Sequence, residues 1–183
     1  MIKITFDTCC FPLTWINTEV TLGDKYEISY SSVTQRELEG TDILQKISQY
    51  EKRMETFVWG ESVWGSFVWG GQKAESFAIG ESPIGVGCMP KNAFSLLYEK
   101  VLQIISDRSF PERSKRDNLS KGQRNQLRDA MNLLTHIQHN GDWFITQDYK
   151  GFGKDGSEKR KKLEKLTNTR ILSKKQFLDA IAQ

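Results

Sequence analysis

Several features that would assign a chain to a familiar class are missing from this sequence. Its 183 residues contain no apolar run near the roughly 18 residues of a membrane span, and its start, MIKITFDTCCF, lacks the layout of a secretory signal. Its three cysteines show no CxxC spacing, so neither a disulfide framework nor a zinc ribbon is indicated. No GxxxxGK(S/T) motif is present, which excludes a P-loop. We therefore expect a cytoplasmic protein without a membrane partner.

The composition predicts a folded domain with an unevenly distributed charge. Hydrophobic residues make up 38% and charged residues 27% of the chain, which is typical of globular proteins. The length suits one domain, 1–183. The net charge is only +3, yet the segment 150–170 is strongly basic. Such a segment fits a polyanionic partner, although a solvated helix face is the commoner cause of such a run.

The hydrophobic periodicity alternates between that of strands and that of helices. Short apolar runs predict strands at 2–6, 26–32, 143–146 and 169–172. Helical spacing predicts helices at 34–55, 92–106, 124–141, which Gly141 would end, and 158–166, followed by a last helix opened by Ser173 and Gln176. This alternation predicts an α/β fold with a parallel sheet that is covered on both faces.

One segment, 57–90, departs from that alternation and repeats every five residues. An odd period would place successive large side chains on opposite faces of a flat strand, so the chain must turn between repeats. A glycine after each large residue permits the turn. We interpret the segment as a turn-rich insertion that packs on itself or on the core, or that offers an aromatic surface for bases or for self-association. The repeating large residues are Trp59, Trp64, Trp69, Ile79, Ile84 and Met89.

Two acids follow predicted strands directly. Asp7 ends the first strand, and Asp148 comes shortly after the strand WFIT. In an open α/β sheet, carboxylates at the carboxyl ends of strands lie where ligands bind, and they repel each other unless a cation lies between them. Oxygen ligands favour Mg²⁺ or Mn²⁺. The alternative is that each acid caps a turn or marks the point where its strand reaches the surface.

Other polar residues are weaker candidates for this cluster. Asp129 lies near the start of its predicted helix, beside the apolar stripe. Glu37 follows Thr34 at the spacing of a capping box, so it is either a helix cap or a ligand. His136 and His139 are three residues apart and could share an ion, but we expect both at the surface.

At these positions the sequence resembles the PIN-domain nucleases, including the toxins of toxin–antitoxin pairs. The similar segments are ITFDTCCF, SSVTQRELEG, RDAMNLLTHIQHNGDWFITQD and RILSKKQFLDAI. Together they lie within residues 1–55 and 120–183. The resemblance implies a three-layer α/β/α PIN-like domain with a central parallel sheet, interrupted here by the Gly/Trp-rich pentad-repeat insertion at 57–90.

The resemblance also implies a function. Four acids, Asp7, Glu37, Asp129 and Asp148, would bind Mg²⁺ or Mn²⁺ and hydrolyse phosphodiester bonds in RNA, with Thr146 as a polar neighbour. Cys9 and Cys10 are expected to be small packing residues. The partners would be RNA, an antitoxin protein and other copies of the chain. The flanking phosphates would be held by Lys150, Lys154, Lys159, Arg160, Lys161 and Lys162.

Two alternatives stay open. The chain could be an RNA- or protein-binding module of the same fold, with weak or no catalysis and with assembly through the tryptophan repeat. It could also be a phosphoryl-transfer enzyme on an α/β sheet, although the stretch after the first strand offers only Asp7 and no DxD pair.

Overall fold

The computed structural model describes residues 1–14, 22, 25–47, 49–53, 92–112, 115–116 and 118–182. The chain divides into two compact units, one of Met1–Arg53 with His136–Gln183 and one of Met54–Thr135. The predicted single domain stays a prediction, and the pentad repeat at 57–90 lies outside the described residues. Within the described ranges, no helix is both long and apolar enough to cross a membrane.

The first unit contains a sheet of five parallel strands, which confirms the predicted α/β class. The order across the sheet is β3-β2-β1-β4-β5. The third strand was not predicted, because its three residues are all charged and carry no apolar alternation. The strands are β1 (Ile2–Phe6), β2 (Tyr26–Ser31), β3 (Glu51–Arg53), β4 (Trp143–Ile145) and β5 (Arg170–Leu172).

Seven α-helices occur in the described part of the chain. The predicted single helix over 34–55 is wrong, because two short helices and β3 occupy that stretch. Gly40 separates the two helices and adopts a φ of +79°, a conformation that ends a right-handed helix. The helices are α1 (Ser32–Glu37), α2 (Asp42–Ile47), α3 (Asn92–Ile105), α4 (Lys121–Gln138), α5 (Tyr149–Phe152), α6 (Glu158–Thr167) and α7 (Lys174–Ile181).

The main core of the first unit packs the central strands against α7. Ile4, Phe6 and Ile145 are fully buried and share a cluster with Phe177 of α7. The rings of Phe6 and Phe177 meet edge to face, with centroids 5.6 Å apart. The predicted capping box at Ser173 is confirmed, and it fixes the start of α7 so that Phe177 reaches the sheet.

The second unit includes α3 and most of α4. Its described part holds a buried ion pair, in which Arg116 donates to both carboxylate oxygens of Glu99 at 2.8 Å. The guanidinium of Arg116 also lies 5.0 Å from the ring centre of Phe110. These contacts attach the loop after α3 to the helix itself.

His136 is fully buried, so the expectation that it lies at the surface is wrong. Its Nδ1 lies 2.9 Å from Thr5 Oγ1, and its Nε2 lies 2.7 Å from Thr169 Oγ1. Thr5 in turn contacts Ser29 Oγ at 3.0 Å. Burial, with repulsion from Arg53 as the next cause, lowers the pKa of His136 to about 3. His136 is therefore a neutral core residue in this structure.

Gly141 has a different role from the predicted helix stop. The left-handed conformation after α4 belongs to Asn140, whose φ is 53°. A Cβ atom on Gly141 would lie 2.1 Å from Nδ1 of His136. Glycine is required here because the imidazole ring packs directly on the backbone.

Candidate functional site

The carboxyl ends of β1 and β4 meet where the strand order reverses. From β1, the strands β2 and β3 extend the sheet to one side, and β4 and β5 extend it to the other. The backbone N–H of Asp7 donates to the carbonyl of Ile145 at 2.9 Å, which joins the two strand ends. In open parallel sheets, ligands bind in the crevice beyond such a switch point. Side chains that follow β1 or β4 are therefore placed where an α/β sheet usually binds its ligand.

Asp7, the first residue after β1, is a carboxylate with only 3% of its surface exposed. Its Oδ1 accepts from the Thr8 backbone N–H at 2.9 Å. Its Oδ2 accepts from the Thr146 hydroxyl at 2.7 Å and from the Cys9 thiol at 3.3 Å. Burial raises the pKa of Asp7 well above its usual range, and repulsion from Cys9 adds to the rise, against the hydrogen bond from Thr146. A cation beside this carboxylate would attract its ionised form and so offset the cost of burying the charge.

Thr146 connects Asp7 to the loop that carries Asp148. It is fully buried, and its hydroxyl donates to Asp7 while accepting the Asp148 backbone N–H at 3.0 Å. The structure therefore brings together three of the residues that the sequence singled out.

Asp148 is half-buried and serves as the N-cap of α5. Its Oδ1 accepts the backbone N–H groups of Lys150 at 2.9 Å and Gly151 at 3.1 Å. The capping alternative raised from the sequence is thus realised in this structure. To bind a metal ion, Asp148 would use its second carboxylate oxygen and keep the cap, or its side chain would change rotamer and release the cap.

Glu37 does not cap its helix in this structure. Ser31 is the N-cap of α1 and accepts the Thr34 backbone N–H at 3.1 Å, while Glu37 lies at the other end of the helix. The side chain of Glu37 is exposed and accepts a hydrogen bond from the Thr8 hydroxyl. Because the Thr8 backbone N–H is bonded to Asp7, this one residue links the acid of β1 to the acid of α1. This link could not be predicted from the sequence, where only the adjacency of Thr8 to Asp7 is visible.

Asp129 differs from the other three acids in its position in the chain. It is half-buried in the middle of α4, which begins at Lys121, so the prediction that this helix starts close to Asp129 is wrong. Asp129 belongs to the second compact unit, whereas Asp7, Glu37 and Asp148 belong to the first.

Cys9 and Cys10 differ in exposure and in their contacts. Cys10 is buried and its thiol donates to the carbonyl of Ile145 at 3.3 Å, as expected for a packing residue. Cys9 is exposed, and its sulfur contacts Asp7 and accepts the Gln147 backbone N–H at 3.2 Å. Hydrogen bonding with Cys10 is the main cause that lowers the pKa of Cys9 to about 6. The interpretation of Cys9 as a packing residue is therefore wrong, since it forms part of the polar cluster at the switch point.

Five of the six predicted phosphate-binding cations lie at the surface or close to it, and the sixth, Arg160, is buried. Arg160 is 2% exposed and donates to the carbonyl of Gly153 at 2.6 Å. It also pairs with Asp155, whose other oxygen accepts from Ser173 at 2.8 Å. Its charge is thus committed to holding the loop before α6. The surface residues are Lys150, Lys154, Lys159, Lys161 and Lys162.

The donor set suits a hard divalent cation in its chemistry, because it consists of carboxylate and hydroxyl oxygens. In the described part of the chain, no three His, Cys, Asp or Glu side chains are gathered closely enough to hold a metal ion. In this structure Thr8 donates to Glu37, and the start of α5 donates to Asp148. Metal binding by these acids would require Glu37 and Asp148 either to exchange protein donors for the cation or to bind it through the second carboxylate oxygen.

The fold and the site together define the class of this protein, which is an α/β protein with a buried carboxylate at the switch point of a parallel sheet. A comparison with protein-family models, with curated proteins and with solved structures finds no match for this chain.

Proposed function

We propose that this protein is a metal-dependent endoribonuclease of the PIN type. The observation that carries the proposal is the placement of Asp7, which is buried at the sheet switch point and joined through Thr146 to the loop of Asp148. A buried carboxylate with a raised pKa in this location is a common feature of functional sites.

In this proposal the chain adopts the three-layer α/β/α arrangement of PIN domains. Asp7, Glu37 and Asp148 would hold Mg²⁺ or Mn²⁺, and the resemblance to PIN nucleases supplies Asp129 as the fourth acid. The bound cation supplies an activated water and offsets negative charge on the leaving oxygen.

The remaining roles fall to residues that orient the acids and bind the substrate. The Thr146 hydroxyl, by donating to Asp7, favours the ionised form that a cation needs. Thr8 sets the spacing between Asp7 and Glu37. The RNA phosphates on either side of the cut would bind the surface cations Lys150, Lys154, Lys159, Lys161 and Lys162.

Cleavage of a labelled single-stranded RNA tests this proposal. The wild-type protein should cut the strand in Mg²⁺ or Mn²⁺ and not in EDTA, and Asp7→Asn and Asp148→Asn should each lower the rate at least about a hundredfold. Asp142→Asn is the matched control, because Asp142 precedes β4 at the opposite end of the strand, where it accepts the Lys3 backbone N–H. All variants should first be shown to fold by circular dichroism.

Equal activity in the wild type and in both carboxylate variants would overturn the proposal. Equal inactivity of all four folded proteins would do the same. A loss of activity confined to Asp7→Asn and Asp148→Asn supports it.

The further proposal that this nuclease is a toxin has a separate test. Expression of the chain alone should arrest cell growth, and expression of the Asp7→Asn variant should not. Arrest relieved by a small co-expressed protein would identify the antitoxin partner. Normal growth with the wild-type chain would contradict the toxin role and leave the nuclease activity as a separate question.

A second candidate function is an RNA- or protein-binding module with weak or no catalysis, in which the tryptophan repeat mediates assembly. The observation that favours it is the hydrogen bonding of the acids to protein groups, with no three metal-binding side chains gathered in the described residues. Deletion of 57–90 separates the two functions. If the deletion abolishes oligomer formation or RNA affinity while the metal still binds, the repeat is the functional part.

A further inference from the structure

The short helix α5 is held at both ends. Asp148 caps its start by accepting the Lys150 and Gly151 backbone N–H groups. At its end, Arg160 donates to the carbonyl of Gly153 at 2.6 Å. Gly153 has a φ of +78°, and a Cβ there would lie 2.4 Å from Ser157 Oγ, so this close packing requires glycine. The helix is therefore a fixed platform attached directly to a candidate site residue.

Only one side of this platform is anchored in the core. Phe152 is fully buried and its ring lies 5.2 Å from that of Phe144, measured between centroids. Gly151 is buried as well, whereas Tyr149 and Lys150 are exposed. The packing of Phe152 thus orients the preceding residues outward.

Tyr149 is unusual among the described residues in exposing a large apolar side chain. It is 47% exposed, and among the residues whose burial the structure describes only Met1 and Leu96 share this property. An aromatic ring that projects from an anchored backbone and remains in water leaves apolar area that a flat ligand can cover.

The surroundings of Tyr149 define the charge of that ligand. Lys150 is the next residue, and Lys159 Nζ donates to the Lys150 carbonyl at 3.0 Å, which brings a second ammonium group to the platform. Lys154 follows on the same loop and is exposed. A flat apolar ring beside several cations fits the base and the flanking phosphates of a single-stranded nucleic acid.

We propose that Tyr149 is a stacking site for an unpaired nucleobase, which places the strand next to Asp148 with its phosphates on the neighbouring lysines. This inference rests on the proposed function for the identity of the reaction, although the stacking contact itself requires neither metal nor catalysis. It names a substrate class, because a base inside a duplex cannot present its face to a side chain.

Binding measured in EDTA tests the inference without cleavage. Fluorescence anisotropy would compare a labelled uridine oligomer with an abasic oligomer of the same length and charge. We expect the wild-type protein to bind the uridine strand about tenfold more tightly than the abasic one, and Tyr149→Ala to lose that preference. Tyr149→Phe, which keeps the ring, should retain it, and Leu96→Ala is the control for loss of an exposed apolar side chain in the other unit. A deoxyuridine oligomer shows whether the base alone or also the ribose is recognised.

Equal affinity of the wild-type protein for the uridine and abasic strands would overturn the inference, as would an unchanged preference in Tyr149→Ala. A loss of preference in both Tyr149→Ala and Tyr149→Phe would overturn stacking as its physical basis. A preference that depends on Tyr149 supports the inference even when no cleavage occurs in Mn²⁺, in which case the nuclease proposal alone fails. If the protein cleaves RNA but binds the uridine and abasic strands equally well, the stacking inference fails and the nuclease proposal stands.

Discussion

Two polar clusters in the first compact unit, one around the buried His136 and one around the buried Asp7, differ in whether they contain an acidic group. In the His136 cluster, neutral donors and acceptors alternate. The Thr169 hydroxyl can donate to Nε2, Nδ1–H can donate to Thr5, and Thr5 to Ser29, whose own proton goes to the Ile4 carbonyl at 2.9 Å. No charge is needed anywhere in this chain of bonds.

The Asp7 cluster instead places a carboxylate and a thiol side by side. The pKa of Asp7 is raised well above its usual range, mainly by burial, so its ionised form is disfavoured in the absence of a cation. A complete neutral network stabilises and orders a core, whereas a buried acid with a strongly perturbed pKa is a candidate for a functional site. The comparison therefore assigns a structural role to His136, and it makes Asp7 the residue on which the proposed function depends.

Replacement of His136 should have the largest effect on stability. His136→Ala removes a fully buried ring and leaves the hydroxyls of Thr5 and Thr169 without it, so we expect the free energy of unfolding to fall by about 3–5 kcal/mol. Urea denaturation measures this loss. His139→Ala, at a half-buried position, is the matched control and should cost less than about 1 kcal/mol. Similar losses in the two variants would contradict the structural role of His136.

Gly141→Ala should disturb the same cluster more mildly. The new Cβ would meet the His136 ring at 2.1 Å, so the ring or the backbone must move, at a cost of about 1–3 kcal/mol in unfolding free energy. Gly122→Ala is the control within a helix, where the nearest atom to a new Cβ is 3.9 Å away. That change should stabilise the protein by up to about 1 kcal/mol through helix propensity. A neutral Gly141→Ala would show that the ring does not pack as described.

The pH dependence of stability should differ in sign between the clusters. For His136 the folded pKa of about 3 lies below the ordinary 6.5, so its stabilising effect is complete above pH 6.5 and is lost as the pH falls towards 3. Between pH 6.5 and 5.5 the loss should be about 1 kcal/mol. Proton NMR can follow the titration of the His136 imidazole directly, because the chain has only two histidines. An imidazole signal from His136 that titrates near pH 6.5 would contradict the neutral network.

Asp7 should show the opposite trend. Its folded pKa lies above the ordinary 3.8, so the stability of the protonated form is present below pH 3.8 and is lost as the pH rises through the folded value. Asp7→Asn should therefore be more stable than the wild type at pH 7 in a chelator, by a margin that disappears near pH 4. Asp142→Asn, at an exposed acid, should show no such gain. A less stable Asp7→Asn at pH 7 would indicate that the ionised carboxylate is a structural requirement.

The sequence was sufficient to predict the parallel sheet and the positions of Asp7 and Asp148 at strand ends. Apolar runs between polar turns specify β1 and β4, and parallel strands bring their carboxyl ends to one edge. The burial of His136 was not predictable, because its neutral partners, Thr5 and Thr169, are distant in sequence. The two short helices before β3 were missed for a related reason, since the helical spacing of apolar residues continues across Gly40, which breaks the helix.

The exposure of Cys9 and the link that Thr8 makes between Asp7 and Glu37 were also beyond the sequence. Both depend on the turn after β1, where a short 3₁₀-helix from Thr8 to Cys10 aims consecutive side chains in different directions. For Arg160 the sequence predicted a surface position, and the structure shows a buried one. A basic run suggested a surface, but helical periodicity turns one member of the run inward to Asp155 and Gly153.

Thermal unfolding of the wild type and Asp7→Asn, each in a chelator and in Mn²⁺ at pH 7, tests most directly whether the Asp7 cluster is a cation site. A ligand that binds only the folded state raises the unfolding temperature. We expect Asp7→Asn to be the more stable protein in the chelator, and Mn²⁺ to raise the unfolding temperature of the wild type alone. Equal shifts in both proteins, or no shift in either, would show that Asp7 does not bind the cation.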